Sequence, residues 1–233
     1  MFFISPPFGN YIKLPDTIPI HGSFTIEPRD GLFRQVFLTL RYSFKYNGWV
    51  NKIGLRNKGI HYAIENVPKD DIISIAIRNQ NDIDEFTKIL PNDRNIEINI
   101  SCPNVQKDNC NTFDLKPLIH EKRKWCIIKI APYTREKVLD DFYKQGFRQY
   151  HCCNTIPVPE GGLSGSSLQK HVKKHIKYLN DKYKDCEIIS GGGITDIEHV
   201  NEYKKFGAKH FSVSTACFNP FKFTKLYWNY MNY

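Results

Sequence analysis

No run of about 18 apolar residues occurs in this chain, so a membrane-spanning helix is not expected. The opening Met1-Phe2-Phe3-Ile4-Ser5-Pro6-Pro7 is apolar, but it is too short for the hydrophobic region of a secretory signal and lacks a basic flank. A cytoplasmic protein is the expectation. No Cys-x-x-Cys pair is present, and the seven cysteines are odd in number. Both facts argue against a disulfide framework and a structural zinc site, so reduced thiols are expected. His21, His61 and His151 lack metal-ligand spacing and read as structural or surface residues, so no metal site is assigned. Internal repeats, low-complexity tracts and interdomain linkers are also missing. The 233 residues therefore read as one domain, 1–233, long enough to bury a substantial core.

What the chain has in excess is positive charge. Its 33 Lys and Arg against 24 Asp and Glu give a formal net charge of +9. The densest clusters, 120–124 and 170–177, read as solvated helix faces. A face that attracts RNA or phosphate is the other reading.

Short apolar runs alternate with amphipathic stretches. Strands are expected over 17–20, 36–39, 72–77, 96–100, 126–130, 149–153, 187–190 and 210–213. Helices are expected over 82–90, 134–145, 168–183 and 196–206. Thr195 with Glu198 has capping-box chemistry, and Gly146 and Gly207 fall where helix C-caps belong. Such alternation predicts a parallel sheet, and eight repeats predict an α/β fold closed as a (β/α)8 TIM barrel, compact and with trimmed loops. The first third is broken by Pro6, Pro7, Pro15, Pro19 and Pro28, and is read as short pieces that include a hairpin capping the barrel bottom.

The later strands end in polar or glycine chemistry. The fourth runs into Ser101-Cys102-Pro103-Asn104, and the fifth carries Lys129 in an apolar setting. The sixth ends at Cys153-Asn154-Thr155, the seventh at Gly191-Gly192-Gly193 and the eighth at Ser214-Thr215. Barrel enzymes build their sites at this face, often with a phosphate pocket after the seventh and eighth strands. Each feature also has a plain reading: cysteine as core packing, Lys129 snorkelling to the mouth, the glycines as a turn. Cys126, Cys152, Cys186 and Cys217 read as buried small apolar residues. The recurrence of one register in five consecutive units favours a site.

These stretches resemble the dihydroorotate dehydrogenases. The matching segments are Asn51-Lys52-Ile53-Gly54-Leu55-Arg56-Asn57, Ile98-Asn99-Ile100-Ser101-Cys102-Pro103-Asn104, Lys129-Ile130-Ala131-Pro132, Asn154-Thr155, Gly161-Gly162-Leu163-Ser164-Gly165, residues 188–194 and residues 207–215. They stand in family order between about residues 47 and 218. The resemblance implies a barrel holding FMN and oxidation of dihydroorotate to orotate in pyrimidine biosynthesis. It places Cys102 as the base that removes a proton from C5, as in the soluble members, while hydride passes from C6 to flavin N5. It places Lys129 at the N1–C2 edge of the flavin. Asn99, Cys153, Gly165, Gly192, Gly193, Ser214 and Thr215 would contact the cofactor. Asn51, Ile53, Gly54, Leu55, Asn99, Asn104, Asn154 and Thr155 would contact the substrate. The flavin-contacting lysine that soluble members carry at the end of strand two corresponds here to Thr39-Leu40-Arg41. An asparagine found after strand three in part of the family corresponds to Ser74. The segment between strand two and Asn51 is shortened.

Two other readings compete. One is a flavin-binding relative with another small-molecule substrate or no activity. The other is a tRNA-dihydrouridine synthase-like enzyme, which the positive charge would suit, though the dehydrogenase-like versions of residues 129–132 and 161–165 argue against it. A small-molecule substrate and an unassigned electron acceptor are the expected partners, with a homodimer left open and neither membrane nor nucleic acid expected.

Overall fold

The computed structural model describes residues 1–100 and 113–232. The chain opens with β1 (Phe2–Ile4) and β2 (Thr17–Phe24), followed by α1 (Leu32–Thr39), β3 (Arg41–Ser43), β4 (Gly48–Asn51) and α2 (Gly59–Asn66). Then come β5 (Ile72–Ala76), α3 (Gln80–Ile89), β6 (Ile96–Asn99), β7 (Cys126–Ile130), α4 (Glu136–Gln145) and β8 (Gln149–Cys152). The last part holds β9 (Ile156–Val158), β10 (Gly161–Gly165), α5 (Gln169–Lys182), β11 (Glu187–Gly191), α6 (Ile197–Phe206), β12 (His210–Val213) and α7 (Pro220–Met231).

Eight strands close a barrel in the order β1-β12-β11-β8-β7-β6-β5-β2, and every neighbouring pair is parallel. This is the (β/α)8 barrel. Its strands are rich in isoleucine because most are buried on both faces, one against helices and one inside the barrel. Ile73, Ile75, Ile96, Ile98, Ile128, Ile130 and Ile188 face the helix layer and join the main core with Leu139, Phe142, Val172, Ile176 and Val200. Residues one step along point inward. Phe3, Ile20, Ile72, Trp125, Ile127 and Ile189 form a separate apolar cluster that fills the lower barrel.

Two residues further along each strand the interior changes character. Ser5 follows Phe3, Ser74 follows Ile72, Lys129 follows Ile127 and Gly191 follows Ile189. Glu97 and His151 enter at the same level, because strand pairing aligns Ser74 with Glu97 and Lys129 with His151. The period of two therefore stacks a polar layer on an apolar plug.

Four expectations are corrected. Residues 36–39 are not a strand but the end of α1. The run Val36-Phe37-Leu38-Thr39 is too short for periodicity to separate helix from strand. The missing strand is β1, three residues inside the stretch read as irregular. The barrel bottom has no capping hairpin from the first third. Instead a four-stranded antiparallel sheet, β3-β4-β10-β9, forms at the opposite end, where β9 and β10 leave the C-terminal end of β8. Helix ends shift slightly. Asp196, not Thr195, caps α6, its side chain accepting from the His199 amide at 3.0 Å. Gly146 and Gly207 close α4 and α6 in the left-handed region, with φ of 110° and 109°.

Candidate active site at the barrel mouth

At the C-terminal ends of the strands lies a cavity of about 530 Å³, counted out to its open mouth. Its wall is contributed by the ends of β1, β7, β8, β11 and β12 and by β10. Of the expected residues it gathers Lys129, Cys153, Asn154, Thr155, Gly165, Gly192, Gly193, Ser214 and Thr215. Asn99 adjoins them, because Asn154 Nδ2 donates to Asn99 Oδ1 at 3.0 Å and Asn99 Nδ2 donates to Ser23 Oγ at 2.9 Å. Asn154 Oδ1 accepts from the Thr155 amide at 2.8 Å. These bonds fix the orientation of both carboxamides.

Asn51, Ile53, Gly54 and Leu55 are not in the wall. Asn51 ends β4 in the small sheet and pairs with Gly162, with Ile53, Gly54 and Leu55 in the following turn. Thr155 stands close by: a Cβ on Gly162 would come within 2.5 Å of its Oγ1. Cys102 and Asn104 lie outside the described residues.

Backbone geometry shapes one side of the cavity. Gly165, Gly192 and Gly193 have φ of +136°, +119° and +73°, which side chains rarely adopt. A Cβ on Gly193 would meet Gln169 Cγ at 2.7 Å and Gly165 O at 3.0 Å. Tyr203 Oη donates to Gly192 O at 2.7 Å and Gln169 Nε2 to Gly193 O at 2.9 Å, so the peptide planes are held in place. Such a glycine cradle beside Thr215 suits an anionic group approached by backbone N–H donors. Ser214 is engaged otherwise, its hydroxyl donating to Pro6 O at 2.9 Å. Lys129 is the sole lysine or arginine among the described wall residues.

Below the cavity runs a polar network that sequence reasoning missed. Glu97 has no exposed surface. Its Oε2 lies 2.6 Å from His151 Nδ1, and its Oε1 lies 3.4 Å from Lys129 Nζ and accepts from Ser74 Oγ at 2.9 Å. Burial alone would push this carboxyl up; Lys129, His151 and the hydrogen bonds outweigh it and hold Glu97 at about 2. Burial and the Lys129 charge push the His151 imidazole below its ordinary range. Burial also pushes the Cys153 thiol well up, with Lys129 pulling weakly against it. Cys153 thus lines the wall as a neutral thiol. Of the two readings given to His151, structural or surface, the surface one does not hold, since the ring is buried against Glu97. The signal for the network was that Glu97 and Asn99, two apart in an apolar strand, both face inward.

Two of the assigned correspondences also move. The end of the second barrel strand is Phe24, so Arg41 does not occupy it, and no lysine stands there. Ser74 is not beyond the third barrel strand but inside it, bonded to Glu97 and Ser23.

A TIM barrel with a buried Lys129–Glu97 pair and a glycine cradle at the C-terminal ends of its strands has the layout of a barrel enzyme. No protein-family model matches the chain. Individual proteins do. The chain is 26% identical, over 91% of its length and 87% of the relative's, to a protein of Thermotoga petrophila named dihydroorotate dehydrogenase B (NAD(+)), catalytic subunit. It is 31% identical to the protein of that name from Petrotoga mobilis, covering 74% of this chain and 69% of the relative. The one from Staphylococcus carnosus is 28% identical, over 75% and 68%. The chain belongs to the dihydroorotate dehydrogenase family of oxidoreductases, as a divergent member.

Proposed function

We propose that this chain oxidises dihydroorotate to orotate with FMN bound in the cavity at the barrel mouth. The observation that carries the reading is the convergence of Lys129, the Asn99–Asn154 pair and the glycine cradle on one cavity. The residues present fit the cofactor: positive-φ glycines for its phosphate, Lys129 for the electron-rich edge of its ring. When bound, FMN supplies a hydride acceptor.

The chain's own residues do the rest. Gly165, Gly192 and Gly193 offer backbone donors to the phosphate, with Ser214 and Thr215 beside them. Asn99 touches both ring and substrate, and Asn154, Thr155, Asn51 and Asn104 hold the pyrimidine and its carboxylate. Carboxamides suit this task because each presents paired donors and acceptors. Ile53, Gly54 and Leu55 border the substrate from the turn after β4. Cys102 removes the C5 proton; a thiol with an ordinary pKa near 8.5 needs only a modest local shift for that role.

The test is an absorption spectrum of purified protein, with and without dihydroorotate in the absence of oxygen. We expect flavin bands that bleach on adding dihydroorotate. Cys102→Ala should keep the bands and slow bleaching by roughly 10²-fold or more, the usual contribution of a positioned base. Retained flavin that never bleaches in the unmodified protein would reject dihydroorotate as the substrate.

A further inference from the structure

The polar layer carries one more ionisable group than a fixed counter-charge needs. Glu97 and Lys129 cancel each other, so the net charge of the layer is decided by His151. The groups around this imidazole are mostly neutral, Ser5 after β1 among them. Ser74 comes from β5, Glu97 from β6 and Lys129 from β7; Gly191 on β11 has no side chain, Ser212 lies on β12, and Cys153, just past the end of β8, is a neutral thiol. A carboxylate can only accept, so the short contact to Glu97 assigns the proton to Nδ1. Nε2 is then the position that can gain a second proton. It lies against the cavity wall: a Cβ on Gly191 would come within 2.4 Å of it.

We propose that His151 is a proton-uptake group, neutral at rest and protonated on Nε2 when the occupant of the cavity becomes anionic. The inference rests on the flavin reading above. Hydride from a dihydropyrimidine brings two electrons and one proton, leaving the bound flavin with one negative charge. The Lys129 charge is already balanced by Glu97, so this new charge meets a layer of zero net charge. An uncompensated anion in a low-dielectric site is costly, and a proton taken from water relieves it. The balance is two protons per two electrons, one on the flavin and one on His151. Glu97 acts as a positioning residue that pins the Nδ1 side of the ring.

The experiment measures the midpoint potential of the bound flavin between pH 6 and pH 8, equilibrated with a reductant and redox dyes, together with the spectrum of the reduced form. In the unmodified protein we expect an anionic reduced flavin and a slope of two protons per two electrons. That combination requires a second proton on the protein and needs no variant. His151→Asn keeps an amide nitrogen for Glu97 but cannot titrate, and should halve the slope. A one-proton slope in the unmodified protein overturns the proton role and leaves the flavin reading intact. So does a two-proton slope with a neutral reduced flavin, or one unchanged in His151→Asn. A protein that takes up no flavin overturns both.

Discussion

Glu97 joins three side chains of the barrel interior. It is fully buried and ionised, and its two oxygens are shared among Lys129, His151 and Ser74. A buried ion cluster of this kind is weak evidence for net stability, since desolvation offsets most of its attraction. Breaking it is another matter. Glu97→Gln keeps the shape and one acceptor but leaves Lys129 without its counter-charge. We expect a loss of about 3–5 kcal/mol of unfolding free energy, the range for removing one partner of a buried pair. Urea unfolding at pH 7 measures this. A loss below about 1 kcal/mol would mean that the Lys129 charge is compensated elsewhere, and the layer would need a different account.

At the scale of elements, the corrections have physical reasons. The barrel strands from β5 onward were legible because each is a short β-branched run set between amphipathic stretches. Even so, 36–39 looks the same by composition and is helical. Nothing in α1 is buried; Phe33 and Phe37 are 85% and 88% exposed. Its apolar residues therefore carry no core signal that could have exposed the helix by its periodicity. β1 was missed because three residues give no period at all, and only pairing with β2 and β12 makes them a strand. The cavity wall was largely legible, since strand ends are local features. The polar layer beneath was not. Ser74, Glu97, Lys129 and His151 meet only through the register of four strands, which no segment carries by itself. A cap offers a test of such a one-residue difference. Asp196 accepts from the His199 amide, whereas Thr195 Oγ1 donates to Asp196 Oδ2 at 3.0 Å. Asp196→Ala should cost about 1 kcal/mol, typical for losing an N-cap, and Thr195→Ala markedly less. Thermal unfolding of the two variants would show it, and equal losses would put the cap at Thr195 after all.

Across the whole molecule, burial sets how the fold responds to acid. Burial is the largest cause of lowered imidazole pKa at His21, His151, His171, His175 and His210, and pushes His210 down to about 4. A histidine held neutral in the folded state binds its proton first in the unfolded chain. Stability is therefore complete above the unfolded value of about 6.5 and falls as pH drops below it, down to the folded pKa. For His210 that window runs from about 6.5 to 4 and corresponds to about 3 kcal/mol at most. Glu97 adds a second window with the same sign. Its folded pKa, about 2, lies below the ordinary carboxylate value, so its contribution is present above roughly pH 4.5 and lost as pH falls towards 2. Urea unfolding across a pH series should show a decline that begins near pH 6.5, before most carboxylates titrate, and continues below pH 4. His210→Gln should flatten the upper part and leave the lower part in place. Stability that holds constant from pH 7 to pH 4.5 would contradict this picture, because it would require these buried imidazoles to take up protons inside the fold as readily as in water.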